Sequence, residues 1–309
     1  MTRDNDPDAE SDRLERRLDQ IHAHLTELES RQRGMLDETR IRWREEDAIL
    51  QRLVLRAEVE IESERRQRDH IQDSRDRLAR FREESGYDEL WDDDNPLVSV
   101  RIATFDRTEQ LIDVAIESVL KQTYDNIEIV VVNDGPNPRT QAALKALGND
   151  KIRYSELPRR TDYPQHQHLR WMVAGAAAMN EAARQAQGKW IAPLDDDDEF
   201  ADDHIERILR LARSERAELA YGALIRRDLD EGTKELIFSD PPVIGKFSFQ
   251  SSIYLEGLRF FSYDEESWRV EEPGDGNLIR RMREAGVRFA GTPDVHAFMN
   301  SHRFDRRDS

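Results

Sequence analysis

The chain has 309 residues, enough for one substantial domain and an appendage. Its net charge of −18 argues against a nucleic-acid-binding face, because phosphate contacts need a basic surface. The same charge disfavours attachment to anionic lipid, and the absence of cysteine excludes disulfides, thiolate metal sites and cysteine nucleophiles.

The N-terminal residues are acidic and lack the apolar stretch that is typical of a signal peptide. The longest apolar run, residues 171–179, is too short to cross a membrane. We therefore expect a soluble cytoplasmic protein without a transmembrane segment, peripheral at the membrane only through an acceptor or a partner.

Residues 1–10 are predicted to be a disordered acidic N-terminus, and residues 11–84 to form a long charged helix. In the first part of this helix, apolar residues recur with the 3.5-residue period of a coiled coil, at Leu14, Leu18, Ile21, Leu25 and Leu28. The register slips near Gly34 and resumes weakly, so the continuity of the second half stays open. We expect self-association through this coiled coil, with a fold-back at Gly34 or a lone solvated helix as alternatives.

Residues 85–96 are predicted to form a polar linker that ends at Pro96, where the pattern changes. Apolar runs then alternate with helical spacing, which predicts βαβ units and a parallel sheet in one domain over residues 97–309. Strands are predicted at 98–103, 127–132, 151–154, 190–194 and 287–290. Helices are predicted at 108–120, with Thr108 as N-cap, and at 138–147, 173–187, 203–213 and 277–285.

Four consecutive aspartates, Asp195–Asp198, follow the apolar run Trp190–Leu194. If that run is a buried strand, the carboxylates lie at its carboxyl end, where ligands bind in open α/β sheets. Four adjacent carboxylates repel one another, and a hard divalent cation that carries a phosphate ligand would make the cluster favourable. In isolation such a run is more typical of a solvated loop. Its assignment as a ligand site therefore depends on the other segments of the chain.

The second predicted strand ends at Asp134, which Gly135 follows. A carboxylate at this position would lie over the ligand crevice of the sheet, as an acceptor suited to an N–H group of uracil or guanine. The alternative is an Asp-Gly turn without a ligand. No Gly-x-Gly-x-x-Gly follows the first strand and no Walker A sequence is present, which disfavours nicotinamide, flavin and P-loop sites.

The segments 98–107, 116–124, 129–135 and 188–200, in this order, together resemble the family 2 glycosyltransferases of the GT-A fold. The resemblance covers about residues 97–302. It implies an α/β fold with a mostly parallel sheet flanked by helices, here preceded by the helical coiled-coil segment. It also implies metal-dependent, inverting transfer of a sugar from a nucleotide-diphospho-sugar, UDP favoured over GDP, to a hydroxyl of a carbohydrate or lipid-linked acceptor.

The resemblance implies donor-binding roles for several residues. Those that would contact the nucleotide or the donor sugar are Ala103, Thr104, Phe105, Asp106, Asp134, Asn180, Asp195 and Asp196. Asp197 would bind Mg²⁺ or Mn²⁺, although Asp198 allows this register to slip by one. His302 matches a histidine near the metal or diphosphate better than His296 does.

Asp275 matches the catalytic base of the family, and its place at the start of a helix also suits an N-cap. Four positions depart from the family pattern: Ala103 replaces a proline, Asp106 an asparagine, Met179 an arginine and Gly274 a glutamate. Arg159, Arg160 and Arg170 are candidates for the missing cation, although each is slightly better explained as a residue of a charged surface loop. His166 and His168 are better explained as ordinary loop histidines than as ligands.

Three other classes of protein were weighed. A sugar-phosphate nucleotidyltransferase lacks its glycine-rich fingerprint here, and a haloacid-type phosphatase lacks the threonine of Asp-x-Asp-x-Thr. The third is a coiled-coil scaffold or regulator that carries a nucleotide-binding but catalytically impaired GT-A domain. The departures at Ala103 and Met179 favour this third alternative, whereas the presence of Asp134, Asp197 and Asp275 argues against it.

Overall fold

The computed structural model describes residues 22–28, 30–31 and 71–301. The chain divides into two units, residues 1–64 and 65–309. In the first unit the described residues are helical, and Leu25 and Leu28 of the predicted coiled-coil seam are about half exposed. The predicted disordered N-terminus, most of the predicted coiled coil and His302 lie outside the described residues.

Parallel strands form the first half of the sheet, in the order β3–β2–β1–β4. They are β1 (Val98–Thr104), β2 (Ile127–Asn133), β3 (Ile152–Glu156) and β4 (Trp190–Asp195). The apolar, largely β-branched run of β2 is buried at every residue, as expected of a strand covered on both faces. These strands were predicted to within one or two residues, and their carboxyl ends meet at one edge of the sheet.

The second half of the sheet is mixed. It continues from β4 in the order β8 (Ser252–Leu255), β6 (Leu219–Asp228), β9 (Phe289–Ser301) and β5 (Glu199–Phe200), and β7 (Lys234–Ile237) pairs with β6. The pair β6–β9 is parallel, whereas β4–β8, β6–β8, β5–β9 and β6–β7 are antiparallel. The predicted α/β class is confirmed, but the strand predicted at 287–290 extends to Ser301.

The helices that flank the sheet are α1 (71–83), α2, α3 (Pro138–Leu147), α4 (Gln167–Val173), α5 (Ala176–Gln185), α6 (His204–Ser214) and α7 (Gly274–Ala285). Helix α2 consists of Thr108–Gln110, a π-helical stretch Leu111–Ile116, and Glu117–Leu120. No helix in the described part of the chain is long and apolar enough to span a bilayer.

Two helix predictions differ from the structure. The helix predicted at 173–187 is divided into α4 and α5, because Gly175 adopts a φ of 78° that interrupts the helical path. Thr108 is the first helical residue rather than the N-cap, a position that Arg107 takes. The Thr108 hydroxyl instead hydrogen bonds the Thr140 hydroxyl at 2.7 Å.

The segment predicted as a linker is packed against the domain. Tyr87 and Trp91 are buried, as are Leu78 and Phe81 on α1. The buried Glu218 carboxylate accepts hydrogen bonds from the Arg82 guanidinium, Nε and Nη2 both at 2.8 Å, and from the Tyr87 hydroxyl. The folded domain therefore begins before Pro96, because aromatic side chains within the polar linker sequence are part of its core.

Candidate active site

The carboxyl ends of β1, β2 and β4 form the edge of the sheet where the predicted site residues lie. Ala103 on β1 pairs in register with Asp195 on β4, and Thr104 pairs with Asn133 on β2. The backbone N–H of Asp134 donates to the Thr104 carbonyl at 2.8 Å. The predicted nucleotide loop, base-contacting aspartate and aspartate run are thus brought together.

Three members of the aspartate run accept hydrogen bonds from uncharged groups of the protein, and Asp195 does so from Gln250 Nε2. Thr104 Oγ1 donates to Asp196 Oδ2 at 2.7 Å. Asp198 accepts from the Asn300 backbone N–H at 2.8 Å and from Gln250 Nε2 at 3.1 Å. Burial raises the pKa of Asp198 well above its usual range, and the neighbouring aspartates raise it further. Asp198 is therefore a buried structural carboxyl, which favours the register in which Asp197 is the ligand.

Asp197 is more open, with its side chain 26% exposed against 10% for Asp196. The Arg107 guanidinium contacts Asp197 Oδ2 and lies 3.3 Å from Asp196 Oδ1. Partial burial raises the pKa of Asp197 to about 7, an effect that Arg107 opposes and the Asp196 and Asp195 charges reinforce. The carboxylate that was predicted to bind a metal thus already has a cation against it.

A divalent metal fits this carboxylate chemically. Carboxylate oxygens are hard ligands suited to Mg²⁺ or Mn²⁺, which commonly take one or two carboxylates and complete their coordination with substrate phosphates and water. Over residues 71–301 and the short described N-terminal helix, no three His, Asp or Glu side chains cluster into a metal site. Asp197 would therefore hold a metal together with phosphate oxygens of a ligand.

The predicted base contact, Asp134, is engaged within the chain. Its Oδ1 accepts from the Thr161 backbone N–H at 3.0 Å and the Thr161 hydroxyl at 2.7 Å, and its Oδ2 from the Tyr163 hydroxyl at 2.6 Å. These donors belong to residues 157–166, which we term the crossing loop. It passes so close to Gly135, whose φ is 102°, that a Cβ there would lie 2.7 Å from the Arg160 nitrogen.

The crossing loop also covers the predicted nucleotide loop. The Arg160 guanidinium lies 3.7 Å from the centroid of the Phe105 ring, a cation–π contact, and Asp106 beside it is exposed. Among the arginines that could replace the family arginine missing at Met179, Arg160 thus lies beside the predicted nucleotide loop. Arg159 instead forms an exposed ion pair with Asp162 at 3.4 Å.

The predicted catalytic base, Asp275, is half-buried in the first turn of α7, where Pro273 rather than Asp275 is the N-cap. Its Oδ1 accepts from the Tyr263 hydroxyl at 2.9 Å. Burial and then the Asp195 charge raise the pKa of Asp275 to about 6, while the Tyr263 bond and the Arg101 charge oppose this increase.

Asn180, predicted to bind the donor, uses its amide in contacts with a neighbouring loop. Its Nδ2 donates to the Tyr263 carbonyl at 3.0 Å, and its Oδ1 accepts from the Tyr263 backbone N–H at 2.8 Å. In this structure Asn180 therefore fixes the residue that hydrogen bonds Asp275, and its role toward the donor stays a prediction.

Sequence reasoning missed several residues of the site, namely Arg101, Arg107, Gln250, Thr161, Tyr163 and Tyr263. Arg101 alone left a visible signal, since it is a charge within the apolar strand run that begins at Val98. The other residues are polar side chains in loops or at element ends, and their sequence surroundings do not distinguish them from ordinary surface positions.

The fold gathers these carboxylates at the edge where ligands bind in open α/β sheets, and comparison with known proteins gives the family. Residues 99–265, more than half of the chain, match the family model described as glycosyl transferase family 2. The chain therefore belongs to glycosyl transferase family 2.

Curated relatives match over part of their length. WcaA of Escherichia coli (strain K12), named for colanic acid biosynthesis, is 34% identical over 118 residues, 37% of each protein. The succinoglycan biosynthesis protein ExoO of Rhizobium meliloti (strain 1021) is 29% identical over 47% of this chain and 38% of its own. Glycosyltransferase GlyA of Streptococcus pneumoniae serotype 4 is 30% identical over 38% of this chain and 15% of its own. The chain thus spans less than two-fifths of these relatives' own length.

Among solved structures, residues 1–349 of S. aureus TarS in complex with UDP-GlcNAc superpose with a TM-score of 0.52 at 17% identity. The match covers 66% of this chain and 58% of the TarS chain. This likeness shows a shared GT-A fold.

Proposed function

We propose that the protein transfers a sugar, with inversion at the anomeric carbon, from a UDP-sugar to a hydroxyl group of a carbohydrate acceptor. The observation that carries the proposal is the pairing of a half-buried carboxylate, Asp275, with the aspartate run at one edge of the sheet. The two are close enough for the Asp195 charge to raise the pKa of Asp275. This proximity supports a reaction centre in which Asp275 is the base and the aspartate run binds the diphosphate.

Several features support the donor and the acceptor. Asp134 offers acceptor oxygens suited to a base N–H, and the TarS structure contains UDP-GlcNAc, so UDP is favoured over GDP. WcaA and ExoO are named for colanic acid and succinoglycan biosynthesis, which favours a carbohydrate or lipid-linked carbohydrate acceptor. With such an acceptor the enzyme would work in the cytoplasm and approach the membrane only through its substrate.

The leaving diphosphate needs positive charge. Mg²⁺ or Mn²⁺ on Asp197 would supply Lewis acidity toward the diphosphate oxygens. Arg107 adds a guanidinium beside the same carboxylate, and Thr104 keeps Asp196 in place through its hydroxyl. These residues are proposed to bind the diphosphate end of the donor.

Asp275 is proposed to take the proton from the acceptor hydroxyl as its oxygen attacks the anomeric carbon. The base acts only when ionised, and its pKa is raised to about 6. Turnover should therefore rise with pH through about 6 and level off above it, until another group titrates.

The base assignment is tested with Asp275→Asn, which keeps the shape but cannot accept the proton. We expect transfer to fall by at least about 10²-fold, because general-base catalysis contributes on that order. Binding of UDP in the presence of Mn²⁺, measured by calorimetry, should be nearly unchanged. Glu271→Gln is the matched control, since Glu271 is exposed near the same helix start. Full transfer activity in Asp275→Asn would refute the assignment.

Metal dependence is tested with Asp197→Asn. We expect the Mn²⁺-dependent part of UDP affinity to be lost, with Asp202→Asn, an exposed acid just after the run, as the control for charge. Because protons compete with the metal for a carboxylate whose pKa is about 7, UDP affinity with Mn²⁺ should rise as pH increases through about 7. Equal UDP affinity with and without Mn²⁺ in the native protein would contradict the proposal.

A screen of nucleotide sugars for Mn²⁺-dependent hydrolysis would identify the donor. If UDP binds but no nucleotide sugar is turned over, the result favours the alternative of a scaffold with an impaired GT-A domain.

A further inference from the structure

Arg101 is a buried cation in the centre of β1. Its residue is 2% exposed, and its neighbours Val100 and Ile102 are fully buried. Its Nη2 donates to the Tyr263 hydroxyl at 2.9 Å, whereas Nε and Nη1 have no hydrogen-bond partner among the described residues. A buried charge with unsatisfied donors opposes folding, so its presence beside the site calls for a functional explanation.

Tyr263 connects this arginine to the catalytic carboxylate. The guanidinium has donors and no acceptor, so the Tyr263 oxygen accepts from Arg101 and directs its own proton to Asp275 Oδ1, 2.9 Å away. The guanidinium also lies 5.3 Å from the centroid of the Tyr263 ring. Asn180 hydrogen bonds both the backbone N–H and the carbonyl of Tyr263. These bonds help to fix the position of the Tyr263 side chain.

Charge in this part of the molecule is unevenly distributed. The pKa of Arg101 is raised by four nearby groups, the Tyr263 and Tyr254 hydroxyls and the Asp195 and Asp275 carboxylates. The Asp195 charge raises the pKa of Asp275. Tyr263 and Arg101 lower it, as does a hydrogen bond from the Phe249 backbone. Arg101 is thus the cation that opposes repulsion between the two carboxylates.

We propose that Arg101 is a positioning residue for catalysis: through the Tyr263 hydroxyl it orients Asp275 toward the acceptor and balances the charges of Asp275 and Asp195. This inference rests on the proposed function, in which Asp275 is the base. Without Arg101 or the Tyr263 hydroxyl, the Asp275 carboxylate would lose a favourable partner of its ionised form, and its pKa would rise.

The direct test is an NMR titration of the Asp275 carboxyl carbon in protein labelled with [γ-¹³C]aspartate, and Asp275→Asn assigns the resonance. It needs no substrate. In Arg101→Met and in Tyr263→Phe we expect the pKa of Asp275 to rise by about 1 or more above the native value. Met179→Leu is the control, because Met179 lines the same cavity of about 20 Å³ as Arg101 and Tyr263 but carries no charge.

The kinetic consequence follows from the same shift. At pH 6, an increase of the pKa by one reduces the ionised fraction of Asp275 about fivefold, and the loss should disappear as pH is raised. A purely structural defect would instead lower turnover equally at every pH. In the double variant, the increase should be smaller than the sum of the two single increases, because both substitutions interrupt one chain of hydrogen bonds.

The possible failures are distinguishable. If Arg101→Met does not fold, Tyr263→Phe still breaks the connection and still gives the titration. An Asp275 pKa that is unchanged in Tyr263→Phe or in a folded Arg101→Met would overturn the inference about Arg101. Full transfer activity in Asp275→Asn would instead overturn the proposed function, whatever the titration shows.

Discussion

At the scale of single residues, the aspartate run is divided into distinct environments. Asp198 is buried and bonded by Asn300, Asp196 is held by Thr104, and Asp197 faces Arg107. The repulsion that the sequence implied is thus relieved partly by burial, which favours protonation, and partly by an arginine. Asp197 is the member of the run whose partner a divalent metal would have to displace.

This contact predicts competition between Arg107 and the metal. Arg107→Met should strengthen binding of Mn²⁺ in the absence of nucleotide by about threefold, the amount expected for loss of a partly exposed ion pair. The dissociation constant can be measured from the electron paramagnetic resonance signal of unbound Mn²⁺. Arg159→Met is the control, since Arg159 forms an exposed pair elsewhere. Equal Mn²⁺ affinity in both variants and the native protein would contradict competition.

Residue types indicated part of the candidate site before the fold was described. Asp134 and Asp197 could be proposed because carboxylates that follow buried strands in an α/β sheet lie where ligands bind, and Asp275 could be proposed from the family resemblance. Tyr263 and Gln250 could not, because they reach Asp275 and Asp198 only after distant segments pack together. Arg101 could be noticed as a charge within an apolar strand, but its proximity to Asp195 and Asp275 could not be predicted.

At the scale of elements, strands were predicted accurately where a short stretch of sequence specifies them. The runs Val98–Thr104 and Ile127–Asn133 are apolar and bounded by polar turns, so both strands were predicted closely. The mixed half of the sheet depends on pairing between β6, β8 and β9, which are far apart in sequence. No local pattern specifies such long-range pairs, so in this half only the strand at 287–290 was predicted with bounds.

The crossing loop leads to a prediction about nucleotide binding. A base that hydrogen bonds Asp134 Oδ2 would compete with the Tyr163 hydroxyl, which already donates to that oxygen. Tyr163→Phe removes that competitor, so UDP should bind about fivefold more tightly, a gain of about 1 kcal/mol for one hydrogen bond. Calorimetry with UDP measures the effect, and Tyr154→Phe is the control because its hydroxyl bonds Glu156. Weaker binding in Tyr163→Phe would show that Tyr163 itself contacts the nucleotide.

At the scale of the whole molecule, the N-terminal boundary of the domain matters for the design of experiments. Leu78, Phe81, Tyr87 and Trp91 are part of the hydrophobic core, and Arg82 pairs with the buried Glu218. A truncation within the predicted linker would remove these contacts and destabilise the domain. A chain that begins at Arg65, where the second unit starts, retains them.

Self-association through the N-terminal helix is the remaining proposal at this scale. Leu25 and Leu28 belong to the predicted coiled-coil seam and are about half exposed in the single chain, so a partner helix would remove apolar surface from water. The full chain should sediment as an oligomer and the chain that begins at Arg65 as a monomer, with UDP affinity unchanged. Leu25→Glu together with Leu28→Glu in the full chain should also give a monomer, because charges in the seam oppose its burial. Equal sedimentation masses per chain for the full and truncated proteins would rule out this helix as the association element.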